Sequence, residues 1–339
     1  MIAGKEGAAM RVLFIGGTGN ISTACTHDAL KRGIDLFHLN RGQSGRAPKG
    51  VTTIAGDIRQ PDKVKALLEG LRFDVVVDWI AFTPEHAVAD IELFRDVTHH
   101  YIFISSASVY HKPLRHQVIS ESTPAHNPYW RYSQNKIACE RVLLSAYEED
   151  GFPVTIVRPS HTYSDGYFPT SFGPADFTIP DRMLRGAPVV VHGDGQSLWT
   201  LTHSDDFAIG FGGLLGNPRA IGETFHITSD EQLTWDGIHM AIGRALGVTP
   251  ELVHVPSEVI ARFDPEIGAG LLGDKQYSVI FDNSKIKRYV PGFSANITFA
   301  EGMRRGVAWV NEDPKRRVIT EATNALQDRL VEAIGKVAP

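Results

Sequence analysis

Arg11-Val-Leu-Phe-Ile15 is an apolar run of strand length. It passes directly into Gly16-Gly17-Thr18-Gly19-Asn20-Ile21-Ser22, and a helix-patterned stretch continues to Arg32. Such a run suits a parallel strand buried on both faces. Glycine at the turn permits positive φ and lets a ligand approach the backbone. The N-terminus of the following helix offers free N–H groups to a pyrophosphate. A second strand pattern, Ile34 to Asn40, completes a strand–turn–helix–strand unit. That unit belongs in an open parallel sheet covered by helices on both faces. Gly16, Gly17, Gly19, Asn20 and Ile21 are the expected cradle of a dinucleotide. Asn40 and Arg41 stand where the adenosine ribose would be read.

The alternation continues down the chain. Strand patterns lie at 11–15, 34–40, 51–55, 73–80, 100–105 and 153–158, and helix patterns at 20–32, 61–70, 84–98 and 128–150. The fold class read from this is α/β, a doubly wound parallel sheet with a smaller C-terminal substrate lobe. Residues 10–158 form the expected nucleotide domain, with 200–228 returning to it. Residues 159–199 and 229–313 form the lobe, with helices at 234–246 and 299–311. Residues 314–339 read as a charged terminal helix without a place, and 1–9, rich in Gly and Ala, as a disordered tail.

Bulk properties narrow the function. A net charge of −5 without a basic run argues against a nucleic-acid partner. No apolar run reaches membrane-span length. The chain has two cysteines, Cys25 and Cys139, each inside a helix pattern, which suits a reducing cytoplasm. None of the 14 histidines shows a zinc spacing, so no metal is expected. Asp205-Asp206 reads as a helix cap rather than a metal pair.

The chemistry-bearing residues lie further on. Tyr132-Ser-Gln-Asn-Lys136 puts a phenol and an ammonium one helical turn apart on one face. A nearby cation favours phenolate and should lower the tyrosine pKa toward neutrality, which suits proton exchange with an alcohol or ketone. Tyr101-Ile-Phe-Ile-Ser105-Ser106-Ala107-Ser108 is an apolar strand ending in hydroxyls. Ligands of open α/β sheets bind outside the strand carboxyl ends, so Ser106 falls on the edge that would meet Tyr132.

With Gly16, Gly19 and Ser22 at the G-x-x-G-x-x-G positions, Ser106 at the strand end, and Tyr132 and Lys136 as Tyr-x-x-x-Lys, the chain resembles extended short-chain dehydrogenases/reductases, in their NAD-dependent epimerase/dehydratase branch. The resemblance runs from about Met10 to Asn311 and implies a Rossmann-type fold, a homodimer, and hydride transfer at a secondary alcohol or ketone of a sugar-like substrate. It implies Ser106, Tyr132 and Lys136 as catalytic residues, and Asp57, Ile58, Ile80, Ala81, Lys136, Pro159 and Ser160 as further cofactor contacts. Ser108, His161 and Trp199 fall at substrate positions.

Departures from the family pattern are informative. Ser22 replaces the third glycine, which should set the first helix slightly farther from the sheet. Asn40-Arg41 replaces the frequent ribose-binding acid and favours NADP over NAD. Trp199 stands where nucleotide-sugar enzymes carry a diphosphate-gripping Arg, and His161 where many carry Asn. A neutral or singly charged polyol, free sugar, glycoside or small hydroxy-ketone is therefore expected, with a nucleotide-sugar epimerase as the alternative, in which a basic residue such as Arg182, Arg185 or Lys275 would rebuild the phosphate site. Ala107-Ser108 lack the acids of a dehydratase. From another class, a non-catalytic nucleotide- or RNA-binding protein on the same fold is the competing reading.

Overall fold

The structure, a computed structural model, describes residues 9–42 and 48–335. The expected N-terminal tail, except Ala9, lies outside the described residues.

Seven parallel strands form the central sheet: β1 (Arg11–Ile15), β2 (Asp35–Asn40), β3 (Thr52–Ala55), β4 (Val75–Asp78), β5 (Tyr101–Ile104), β6 (Val154–Pro159) and β7 (Thr224–Ile227). Their order is β7-β6-β5-β4-β1-β2-β3, the doubly wound Rossmann arrangement. Direction of winding reverses between β1 and β4, where Ile15 lies beside Asp78. A crevice must open above that point, because the connections leave to opposite faces.

The strands read as unbroken apolar runs because both faces are buried. On one face Val12, Phe14, Val75, Val77 and Ile102 meet helix α1 (Asn20–Lys31) and the helix Ser204–Gly212. On the other, Leu13, Ile15, Val76, Tyr101 and Phe103 meet α2 (Pro61–Leu67), α3 (Pro84–Phe94) and α4 (Arg131–Asp150). Each fully buried aliphatic side chain contributes about 1.5–3 kcal/mol.

The remaining chain builds a lobe over the strand ends from short strand pairs. His161–Tyr163 runs parallel to Leu201–His203, and Val189–His192 to Leu252–Val255. Val118–Ile119, from the first half of the chain, pairs with Ile280–Phe281 of the second. Trp199, Trp235, Tyr163 and Met303 share the lobe's core. The terminal helix Glu321–Gly335 buries Leu326 and Leu330 against Val190 and Val255.

Asp205 and Asp206 do not cap the helix Ser204–Gly212 as expected. His203 does, its Nδ1 accepting the Asp205 N–H at 3.2 Å. Asp206 instead accepts the Ile297 N–H at 2.8 Å.

Candidate active site

The cradle starts where β1 ends. The backbone turns through Gly16 and Gly17 at φ +99° and +98°, a region that L side chains rarely adopt. A β-carbon on Gly17 would also lie 2.6 Å from the His38 ring. Ser22, in place of a third glycine, is buried and its Oγ accepts the Gly19 N–H at 2.9 Å. Its hydroxyl thus closes the first turn of α1. The Asn20 side chain is spent within the protein. It donates to Thr162 O at 2.8 Å and accepts from Ser164 Oγ at 2.5 Å, which ties the cradle to the strand His161–Tyr163.

Two cavities meet over this turn, sharing Gly16, Thr18 and Ile80. The smaller, about 330 Å³, is lined by Asn40, Arg41, Asp57 and Ile58. The larger, about 730 Å³, holds Gly17, Gly19, Asn20, Ile21, Pro159 and Ser160. Ser106, Ser108, Tyr132, Lys136, His161 and Trp199 line the same larger cavity. The sequence-chosen residues are thus brought to one trough, with the exception of Ala81. Ala81 is buried, and its carbonyl is held by Lys136 at 2.7 Å. A glycine turn without room for a β-carbon, a helix N-terminus and a long trough at the winding reversal fit an extended dinucleotide.

Beside Tyr132, hydroxyls form a chain. Ser133 Oγ donates to Ser108 Oγ at 2.7 Å, Ser108 and Ser106 Oγ atoms lie 2.9 Å apart, and Ser106 hydrogen-bonds the Tyr132 phenol. Lys136, one turn further along α4, is fully enclosed. It donates to Ala81 O and Ile104 O at 2.7 Å each and lies 4.8 Å from the Phe82 and Phe103 ring centres. Burial lowers its pKa to about 8.

The expected lowering of the Tyr132 pKa is not found. Burial raises it, and the Ser106 hydrogen bond only partly offsets the rise. The reason is geometric: the Lys136 ammonium lies 6.0 Å from the Tyr132 ring centre and is turned to two carbonyls.

Behind these groups sits a buried ion pair. Arg158 at the end of β6 grips Glu140 of α4 through Nε at 2.8 Å and Nη2 at 2.6 Å. Ser105 Oγ donates to the same carboxylate at 2.5 Å. The pair fixes β5, β6 and α4 against one another, and with them Ser106, Tyr132 and Lys136.

The surroundings of Trp199 differ from expectation. Trp199 is only 2% exposed. Its indole N–H donates to His161 Nδ1 at 3.1 Å, and its ring packs 5.3 Å from Trp235. Little of its face is therefore open to a sugar. Trp130, 4.9 Å from Tyr132 ring to ring, is the more accessible aromatic wall. Asp274 and Lys275 also line the cavity, from the π-helical turn Leu271–Lys275. Asp274 had no signal in the sequence, because its place on the cavity depends on how the turn Leu271–Lys275 packs against segments distant in the chain. Asn127 was likewise missed. It donates to Ser108 O at 2.8 Å and Gly273 O at 2.7 Å, joining that turn to the hydroxyl chain.

The family model for the NAD dependent epimerase/dehydratase family matches residues 12–228, more than half of the chain. The chain belongs to that family of enzymes. A 2′-dehydrokanamycin reductase of Streptomyces kanamyceticus is 25% identical over 84% of this chain and 80% of its own length. A chloroplast stem-loop binding protein of Arabidopsis thaliana is 28% identical over 72% of this chain and 65% of its own. Among solved structures, an epimerase of Methanothermobacter thermautotrophicus superposes with a TM-score of 0.75 at 17% identity, covering 91% of this chain and 94% of that one. A UDP-glucose 4-epimerase of Thermus thermophilus, in complex with NAD, gives 0.70 at 22% identity, covering 88% and 98%. Among the described residues no group of three or more His, Cys, Asp or Glu could hold a metal, and no helix is long and apolar enough to cross a membrane.

Proposed function

We propose that this family member is an NAD(P)-dependent oxidoreductase or epimerase that acts on a secondary alcohol or ketone of a sugar-like substrate without a nucleotide diphosphate. The observation that carries the reading is the convergence of Ser106, Tyr132 and Lys136 beside the glycine cradle in one cavity. A bound nicotinamide supplies or accepts the hydride. Tyr132 exchanges the proton at the substrate oxygen, and Ser106 hydrogen-bonds that oxygen as its charge changes. Lys136 would hold the nicotinamide ribose. Asn40 and Arg41 present an amide and a guanidinium rather than an acid, which supports NADP over NAD.

Trp199 supports a substrate without a diphosphate, since a buried indole offers no charge to two phosphates. UDP, GDP and dTDP should each fail to bind at micromolar concentration in calorimetric titration. Tight binding of any one would return the reading to a nucleotide-sugar epimerase. The likeness to a 2′-dehydrokanamycin reductase agrees with a substrate that carries no nucleotide. The likeness to a stem-loop binding protein favours a second reading, a non-catalytic RNA binder. RNA affinity that falls steeply with added salt, with no turnover of dinucleotide on any sugar substrate, would establish that one.

A further inference from the structure

Three charged side chains line the larger cavity: Lys136, Asp274 and Lys275. Lys136 belongs to the reactive end, while the other two have no part in the chemistry proposed above. They come from the π-helical turn Leu271–Lys275, and such turns occur often at functional sites. The turn is anchored firmly. The Lys275 carbonyl accepts from the Trp235 indole at 3.1 Å and pairs with His192 Nε2 at 2.9 Å.

The charges do not balance. Asp274 is paired at 3.2 Å with Lys112, whose side chain is wholly buried behind it. That pair is neutral. Lys275 is held by carbonyl oxygens only, Ser171 O at 3.1 Å and Thr170 O at 3.4 Å, with its ammonium 5.7 Å from the centre of the Trp235 ring. One carboxylate therefore faces two ammonium groups, and one positive charge is left over in a partly buried wall. An unbalanced, partly desolvated cation is costly, and the cost is relieved when a ligand brings the missing negative charge.

We infer that the cleft is built for a sugar-like substrate bearing one carboxylate, which Lys275 binds while Asp274 accepts hydroxyl hydrogen bonds. The inference rests on the sugar oxidoreductase reading and narrows its substrate class. An amine would meet an aspartate already neutralised by Lys112 and a repelling Lys275. A diphosphate would bring more negative charge than the site can offset.

Two groups of the larger cavity titrate near neutrality, Lys275 and, beside Tyr132, Lys136 at about 8. Asp274 stands on the same turn as Lys275, and His161, His192 and His239 face Lys275 from three other strands and helices. Burial holds those histidines neutral, at about 3, 3 and 4. Burial brings Lys275 to about 8, against the pull of Asp274. Preference for an anion should therefore fade as pH rises above that value.

Calorimetry on the full chain, with and without NADP or NAD, tests the inference using D-glucuronate, D-glucose, D-glucosamine and D-glucose 6-phosphate as probes. Glucuronate should bind about tenfold or more tightly than the other three at pH 7. Lys275→Met should remove that preference and Lys275→Arg should keep it. In the wild type the preference should shrink above pH 8 and in Lys275→Arg it should persist there, which separates Lys275 from Lys136; a wild-type preference level to pH 9, or an equal loss in Lys275→Arg, would overturn the inference. Equal affinities, undetectable glucuronate binding, or tighter binding of the amine or the phosphate would overturn the inference. Turnover of dinucleotide with a sugar substrate reports separately on the hydride-transfer reading, and the dinucleotide titration reports on the cofactor site, which neither Lys275 variant should disturb.

Discussion

At the scale of single residues, burial raises the Tyr132 pKa, so the phenol holds its proton at neutral pH, as the proposed role of proton donor requires. Tyr132→Phe keeps the ring beside Trp130 but removes the proton, so turnover should fall by about 10²-fold or more. Dinucleotide affinity should stay within a factor of about two, because the phenol does not hold the cofactor. Turnover within a few-fold of wild type would remove Tyr132 from the proposed role. Arg41 makes the complementary case, since it lines the smaller cavity beside Asn40. Arg41→Ala should weaken NADP by about 1.5–3 kcal/mol and NAD far less. Parallel fluorescence titrations that show equal losses would cancel the assignment to NADP.

At the scale of elements, two junctions hold the site together. The β1–α1 turn needs Gly17 both for its positive φ and for the His38 ring beside it. Gly17→Ala should cost on the order of 1–3 kcal/mol of stability and weaken either dinucleotide. A melting curve and a titration unchanged from wild type would show that the turn is more tolerant than its geometry implies. The Glu140–Arg158 pair locks α4 to β6, with Ser105 of the adjoining strand end on the same carboxylate. Glu140→Ala strands a buried guanidinium and should cost about 3–5 kcal/mol in urea unfolding. Glu140→Leu with Arg158→Met should recover much of that, since no charge is then left buried. If the single variant is as stable as wild type, the pair is not what fixes these elements.

For the whole molecule, buried histidines set the response to acid. Burial holds His38, His100 and His239 at about 4, and His161 and His192 at about 3, all below the ordinary 6.5. Their folded pKa values are depressed, so the unfolded chain binds more protons between pH 6.5 and 4. Stability is therefore lost as pH falls through that window, by up to about 1.4 kcal/mol per pH unit for each histidine. Thermal melting should drop steeply below pH 6. A melting temperature that is flat from pH 7 down to 5 would show that these rings are not held neutral in solution.

The one-dimensional pattern was enough for the nucleotide-binding half. Unbroken apolar strands, a glycine turn and a helix opening are local signals, and each is dictated by backbone sterics and by burial on both sheet faces. The spacing of Tyr132 and Lys136 likewise put both on one face of α4, and Ser106 at a strand end followed from the parallel sheet. Tertiary structure decided what depends on neighbours distant in the chain. It set the direction of the Tyr132 pKa, because the Lys136 ammonium is turned to Ala81 and Ile104 rather than to the phenol. It buried Trp199 against Trp235, and it turned Asp274 and Lys275 into one cavity with Lys112 behind them. Desolvation and charge balance are properties of an enclosed volume, and that volume exists only once segments far apart in sequence have closed around it.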